Sequence, residues 1–159
     1  MADTRTKEQR SNIMKSVGSR DTGPELAVRR LLHRLGYRYR LHRRDLPGRP
    51  DIVFPVRRKA IFIHGCFWHG HNCDKGKLPK SRTDYWTPKI EMNRDRDVRA
   101  IARLEDAGWQ TLLVWQCELK GLDAISRVLR EFLGPPGNSP QRLPQSCSSP
   151  AIGKRCKRS

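Results

Sequence analysis

The sequence predicts an α/β domain in which helices pack on the faces of a mixed central sheet. Apolar residues recur at helical spacing in several segments, and short β-prone segments lie between them. Together these segments give the order α, α, β, β, β, α, β, α, which is typical of a sheet covered by helices. A chain of 159 residues suits one such domain and leaves little for a second.

The first twenty residues are expected to form an N-terminal helical arm. Thr6 and Gln9 have the spacing of a capping box, which would begin a short helix that continues to about Val17. This stretch contains few large apolar residues, so the helix would bury little surface against a core. Residues 1–20 are therefore assigned to an arm attached to the domain.

The first half of the domain is predicted as one helix followed by three strands. The helix begins near Thr22, where Glu25 again completes the spacing of a capping box, and it ends at Gly36. Its apolar face consists of Val28, Leu31, Leu32 and Leu35. The strands are predicted at Tyr37–Leu41, Asp51–Phe54 and Lys59–His64.

The second half is predicted as helix, strand, helix and tail. A long helix is expected from about Pro88 to Ala107, with Ile90, Val98, Ile101 and Leu104 facing inward. The apolar strand Thr111–Trp115 follows, and the last helix carries Leu122, Ile125, Val128, Leu129 and Phe132. Residues 134–159 are rich in Pro, Ser and basic residues and contain no acidic residue, so we expect a disordered basic tail after a domain at 1–133.

The charge of the chain indicates a polyanionic partner, most simply nucleic acid. Lys and Arg number 33 against 16 Asp and Glu, and the formal net charge is +17. The predicted tail contains only five of the basic residues, so the domain itself is strongly basic. There is no membrane-length apolar stretch, and the first twenty residues contain no apolar signal region, so we expect a cytoplasmic protein.

The segment HGCFWHGHNC at residues 64–73 contains three histidines and two cysteines directly after a predicted strand. Cys66, His71 and Cys73 have a C-x4-H-x-C spacing, and Cys117 lies just past the strand Thr111–Trp115. Neighbouring strands would bring Cys117 close, and four such ligands would complete a tetrahedral zinc site. The alternative is that these residues occupy ordinary core or surface positions.

Asp51 is the candidate ligand for a second, catalytic cation. It follows Pro50 and begins a strand, and the next strand ends in Phe62, Ile63 and His64. This layout resembles that of the restriction-endonuclease-like superfamily, in which an Asp and an acid-x-Lys pair surround a divalent cation. Here Phe62 and His64 stand where the acid and the lysine are expected, which leaves Asp51 as the main charged ligand for Mg²⁺. The alternative is an ordinary aspartate at a strand end.

Six short motifs together resemble the family of very short patch repair endonucleases, over roughly residues 3–133. They are Thr22-x-x-Glu25, PDIVF at 50–54, GCFWHGHNC at 65–73, the pair Tyr85-Trp86, NRD at 93–95 and VWQC at 114–117. That family nicks DNA at T:G mismatches left by deamination of 5-methylcytosine. The resemblance therefore implies a strand-specific, magnesium-dependent mismatch endonuclease with a restriction-endonuclease-like sheet, a structural zinc site and an N-terminal arm.

The resemblance also implies roles for the residues around the two cations. Asp51 and the main-chain carbonyl of Ile63 would bind Mg²⁺, His64 and His69 would assist through water, and Glu25 would orient His69. The structural Zn²⁺ would be held by Cys66, His71, Cys73 and Cys117.

Contacts with DNA are predicted for six further residues, four of them from the resemblance. Phe67, Trp68 and Trp86 would form a wedge inserted into the base stack beside the mismatch, although aromatic residues are usually part of a core. Met14 would clamp the DNA from the other groove. Lys89 and Asn93 are assigned to base or phosphate contacts by their position alone.

The implied partner is double-stranded DNA with a T:G mismatch, and a mismatch-repair accessory protein and a repair DNA polymerase are further candidates. A nick needs one active site, so we expect a monomer, in the bacterial cytoplasm and associated with the nucleoid. Two other functions remain open at this point. One is a zinc-stabilised DNA-binding protein without catalysis, and the other is a dimeric restriction-type nuclease that cuts both strands of matched DNA.

Overall fold

The computed structural model describes residues 21–80 and 82–137, and it confirms a mixed α/β fold. The predicted N-terminal arm with Met14, and residues 138–159 of the predicted tail, lie outside the described residues. The helices are α1 (Gly23–Arg34), α2 (Thr83–Asp106) and α3 (Leu122–Leu133). The strands are β1 (Arg40–Leu41), β2 (Ile52–Phe54), β3 (Lys59–His64) and β4 (Gln110–Trp115).

The four strands form one mixed sheet in the order β1-β2-β3-β4. The pairs β1–β2 and β2–β3 are antiparallel, whereas β3 and β4 are parallel and are connected through α2. In the parallel pair His64 lies opposite Trp115, the last residue of β4. Both strands therefore end at the same edge of the sheet, and the candidate site is built from the loops that begin there.

Helices cover both faces of this sheet because the side chains of β3 alternate between them. Ile61 and Ile63 pack with residues of α1 and α3, such as Leu32 and Leu129. Ala60 and Phe62 point to the other face, where α2 contributes the fully buried Leu104. Strand β3 is thus buried on both sides and contacts the core residues of all three helices.

The long helix differs from its sequence prediction at both its start and its buried face. It begins at Thr83, and Pro88 lies inside it, because a proline near the start of a helix removes only one backbone hydrogen bond. Val98 was expected to face inward but is 67% exposed. The buried residues of the helix are Ile90, Ala100 and Leu104. The prediction that Val98 lies on the buried face was therefore wrong.

Two other elements differ from their predictions: the first strand is shorter, and the last helix buries fewer of the expected residues. The first strand pairs with β2 only at Arg40–Leu41, because the preceding Tyr37 is buried in the core beneath Phe54 instead of joining the ladder. In α3 the inward residues are Ile125, Leu129 and Leu133, whereas Leu122 and Val128 are each 42% exposed.

The first residues of the predicted tail are attached to the fold. Arg57 donates to the carbonyl oxygens of Leu133 at 2.5 Å, Pro135 at 2.8 Å and Gly137 at 3.0 Å. The hydroxyl of Tyr37 donates to the carbonyl of Gly134 at 2.5 Å.

In the part of the chain described, no helix is long and apolar enough to cross a membrane.

Candidate active site and metal-binding cluster

A cleft of about 1240 Å³ lies where the sheet edge meets the first turn of α1 and one face of α2. It brings together most of the predicted residues: Glu25, Asp51, Ile63, His64, Trp68, His69, Lys89 and Asn93 all line it. These residues come from α1, β3, α2 and the connecting loops, so the fold assembles a site that is scattered along the sequence.

Asp51 immediately precedes β2 and follows the buried Pro50, and its side chain lines the cleft. One carboxylate oxygen, Oδ2, accepts the main-chain N–H of Ile63 at 2.7 Å. Burial raises the pKa of Asp51 to about 6, the hydrogen bond from Ile63 opposes this shift, and the nearby Glu25 adds to it. The ionised carboxylate is therefore held in an unfavourable environment, which a bound cation would relieve.

His64 and His69 form a stacked pair beside Asp51. Their ring centroids are 3.7 Å apart and the ring planes differ by 11°. His64 ends β3 and is buried, and this burial, together with the neighbouring His69, lowers the pKa of His64 to about 4. His64 is therefore neutral at physiological pH, the form in which an imidazole can accept a proton.

The hydrogen-bond partner of His69 is Asp97 of α2, whose carboxylate contacts Nδ1 of the ring. The sequence analysis did not single out Asp97. Its position was a usable signal, because it lies seven residues after Ile90 and seven before Leu104, on the buried face of α2. The side chains of His64, His69 and Asp97 together form a group of potential ligand and proton-transfer atoms that lie within 4.8 Å of one another.

Glu25 lines the same cleft as His69, and the hydrogen bonds of its carboxylate are local to the start of α1. Its carboxylate accepts from the hydroxyl of Thr22 at 2.9 Å, the main-chain N–H of Asp21 at 3.1 Å and Nη2 of Arg29 at 2.8 Å. These donors lie within one turn of Glu25 on or before α1, so the buried carboxylate is satisfied locally. Arg29 is buried as well and balances the charge of Glu25.

The four predicted zinc ligands meet in one cluster. The ligand atoms of Cys66, His71, Cys73 and Cys117 all lie within 4.8 Å of one another. The cluster offers two cysteine sulfur atoms from a tight loop, a third from the segment after β4 and one imidazole. Sulfur and imidazole nitrogen are the donors that a tetrahedral Zn²⁺ prefers, so the set fits this metal. The loop closes tightly, since the N–H of His71 donates to the carbonyl of Cys66 at 2.9 Å, and a Cβ at Gly76 would collide with the carbonyl of His71.

A chain of aromatic contacts connects this cluster to the histidine pair. The ring of Trp115 stacks on His71 with centroids 4.2 Å apart. It also meets His64 edge-on at 5.4 Å and His69 at 6.5 Å. The side chain of Trp115 therefore separates the two candidate metal sites and is in contact with residues of both.

Phe67, Trp68 and Trp86 form a second aromatic group beside the cleft. Their rings meet edge to face, with centroids 5.1 Å apart for Phe67–Trp68 and Phe67–Trp86 and 6.1 Å apart for Trp68–Trp86. All three are half-buried, and none belongs to the core clusters of the described residues. The rings support one another while retaining surface that faces solvent.

Lys89 and Asn93 lie on α2 next to this aromatic group. Lys89 is exposed and lines the cleft. Nδ2 of Asn93 donates to the carbonyl of Trp68 at 2.9 Å, so in this structure Asn93 holds the loop that carries Trp68.

The chain is similar to several known DNA endonucleases. The family model described as DNA mismatch endonuclease Vsr matches residues 2–75. A type II nicking enzyme, V.XorIIP of Xanthomonas oryzae pv. oryzae, is 58% identical over 135 residues, which are 85% of this chain and 99% of the relative. The DNA mismatch endonuclease Vsr of Escherichia coli is 42% identical over 146 residues, which are 89% of this chain and 94% of the relative. The type II nicking enzyme V.NmeAIP of Neisseria meningitidis is 42% identical over 136 residues, covering 83% and 97%.

Proposed function

This chain belongs to the family of Vsr DNA mismatch endonucleases, and from this membership we propose that it nicks one strand of duplex DNA 5′ to the thymine of a T:G mispair. The mispair would arise by deamination of 5-methylcytosine, and the nick would initiate very short patch repair. The observation that carries this proposal is the stacked pair of His64 and His69, which lies in one cleft with Asp51.

Asp51 and the main-chain carbonyl of Ile63 would hold Mg²⁺, since a hard cation that keeps several waters suits one carboxylate and one carbonyl oxygen. The bound cation would supply Lewis-acid stabilisation of the scissile phosphate. Neutral His64 is in the protonation state needed to accept a proton from an attacking water. The contact with Asp97 fixes the ring orientation of His69, which stacks on His64 and limits its movement.

The role proposed for Zn²⁺ is structural. Bound to Cys66, His71, Cys73 and Cys117, it would fasten the loop after β3 to the segment after β4 and leave no open coordination position. That loop also carries His69 and Trp68, so its shape determines where these two side chains lie.

Recognition of the mispair is assigned to the group of Phe67, Trp68 and Trp86. Inserting apolar rings into a base stack costs a few kcal/mol per step, and the cost is lowest at a mispair, so the insertion itself favours T:G. Lys89 and Asn93 would contact the adjacent bases or phosphates, and Met14 would clamp the duplex from the other groove.

We further propose that the enzyme acts as a monomer, because one active site suffices for one nick. A mismatch-repair accessory protein and a repair DNA polymerase are the proposed later partners. The expected location is the bacterial cytoplasm, in association with the nucleoid.

The test is a nicking assay on two duplexes that differ only in one T:G or T:A pair, each strand carrying its own label, with and without Mg²⁺. The expected product is a single cut in the thymine strand of the T:G duplex, present only with Mg²⁺ and absent for Asp51→Asn. Cuts in both strands of the matched duplex would instead favour a restriction-type nuclease. Tight binding without any cut would favour a DNA-binding protein without catalysis.

A further inference from the structure

We propose that the C-terminal half of α2, through Arg96, Arg99 and Arg103, binds the DNA backbone on the 5′ side of the nick, away from the mispair. This inference rests on the proposed function, because the nick defines which side of the DNA is meant. It assigns a substrate contact to residues that the roles described above do not use.

The spacing of these arginines places them on one face of the helix. Arg96, Arg99 and Arg103 follow one another at intervals of three and four residues, the spacing of neighbours on a helix surface. All three line the same cleft as Asp51 and His64, and all three are exposed. Their positive charges therefore face the space that leads to the catalytic residues.

The contacts that these guanidinium groups make within the protein leave them available to a ligand. Arg96 is 69% exposed in its side chain, and its Nε lies 3.9 Å from the carboxylate of Asp97, which is itself engaged by His69. Nε of Arg99 donates to the main-chain carbonyl of Asp95 at 3.2 Å, and this bond does not use its two Nη atoms. Guanidinium forks of this kind match the geometry of phosphate oxygens.

A loop packed against the same half of α2 adds a fourth positive charge. Gly48 lies directly on the helix, since a Cβ at this position would be 2.5 Å from the Cβ of Ala100. The next residue, Arg49, lines the cleft as well. The surface formed by Arg49, Arg96, Arg99 and Arg103, named here the arginine surface, therefore extends from α2 onto this loop.

The order of contacts along α2 gives the polarity of the bound DNA. Trp86, in the proposed wedge, lies near the start of the helix, and Asp97, which contacts the catalytic His69, lies near its middle. The mispair is 3′ to the nick, so it belongs at the end with Trp86. The backbone on the other side of the nick then passes the segment from Asp97 to Arg103, which rises about 9 Å and corresponds to about three base pairs.

The test compares wild type with the full-length double variant Arg99→Gln/Arg103→Gln. The matched control is Arg127→Gln/Arg130→Gln, which removes the same charge from exposed positions on α3 that do not line the cleft. Binding to T:G duplexes is measured without Mg²⁺ over a range of salt concentrations. One duplex has long flanks, a second has only one base pair 5′ of the nick position, and a third is shortened equally on the 3′ side beyond the mispair.

The quantity compared is the slope of the logarithm of the binding constant against the logarithm of the salt concentration. On the long duplex this slope should be steeper for the wild type than for Arg99→Gln/Arg103→Gln, by up to about 0.9 per lost phosphate contact, and the control should match the wild type. On the duplex shortened 5′ of the nick, this difference should vanish. It should persist on the duplex shortened on the 3′ side.

The proposal is overturned if the cleft variant behaves like the α3 control, or if its defect disappears with the 3′ flank instead of the 5′ flank. Nicking by the wild-type enzyme is scored first with Mg²⁺. A failure of the wild type to nick T:G duplexes rejects the proposed function. If the wild type nicks normally but the cleft variant responds to the shortened flanks as the wild type does, only the arginine surface is rejected. Unfolding curves of all variants show whether a binding defect reflects loss of fold.

Discussion

Replacing Asp51 by asparagine should stabilise the protein in the absence of Mg²⁺ even though it removes activity. The carboxylate has an ordinary pKa of 3.8, and burial in the folded cleft raises the pKa to about 6. Between these values the folded state binds more protons than the unfolded state, so stability falls as the pH rises through this window. Above about pH 6 the full cost of the buried charge is present.

The shift of roughly two pKa units corresponds to an upper limit of about 3 kcal/mol at pH 8. The amide introduced by Asp51→Asn would keep an oxygen that accepts the N–H of Ile63, so the substitution removes the charge and preserves the shape. His64 does not complicate the comparison at this pH, because its lowered pKa leaves the ring neutral in the folded state and its ordinary pKa leaves it neutral in the unfolded state.

The assay is urea unfolding of both proteins at pH 8 and at pH 4, with and without Mg²⁺. At pH 8 without Mg²⁺ we expect Asp51→Asn to be more stable by about 1–3 kcal/mol, and at pH 4 we expect this difference to disappear. Mg²⁺ should stabilise the wild type and leave the variant unchanged. If the variant were less stable at pH 8, or if Mg²⁺ stabilised both proteins equally, the assignment of Asp51 as the cation ligand would be wrong.

Four further outcomes are expected from the sequence and the structure. Cys73→Ala should lose bound zinc and unfold at lower urea concentration, which metal analysis and unfolding together would show. Trp68→Ala and Trp86→Ala should each weaken T:G binding by about 1–3 kcal/mol while matched-duplex binding changes less; a stability loss of about 3–5 kcal/mol with unchanged discrimination would place both rings in the core. Asp97→Asn should keep the fold and DNA binding but lower the nicking rate at saturating DNA, and an unchanged rate would exclude a role in orienting His69. Removal of residues 138–159 should reduce the salt dependence of binding and leave the preference for T:G unchanged, which titrations on both duplexes would test.

The elements with strong local signals were predictable from sequence. The apolar stripe of α1 and the continuous apolar residues of β3 predicted a helix and a buried strand, because burial on one or two faces determines these patterns. The start of α2 was missed because the prediction took Pro88 as the first turn of a helix, where proline is most common. The helix instead extends one turn further, where Tyr85 and Trp86 pack against each other with centroids 5.1 Å apart.

The candidate zinc ligands were predictable because three of them are close in sequence and the fourth follows from topology. The parallel register pairs His64 with Trp115, and Cys66 and Cys117 each lie two residues beyond these paired positions. Asp97 had only one signal in the sequence, its spacing of seven residues from both Ile90 and Leu104. This spacing is informative only if the buried face of α2 is known. The prediction placed the apolar but exposed Val98 on that face instead of its neighbour Asp97.

The parallel pairing of β3 and β4 also explains why the two candidate metal sites are so close. Both strands end at one edge of the sheet, so the segments that follow must share the same small volume. Trp115 ends β4 at this edge, and its side chain lies between the two candidate metal sites. His71 of the cysteine cluster stacks on the Trp115 ring, and His64 of the cleft contacts the same ring edge-on. A change that moves His71 therefore has a direct steric route to His64, so we expect the geometry of the His64–His69 pair to depend on how well the cysteine cluster is ordered.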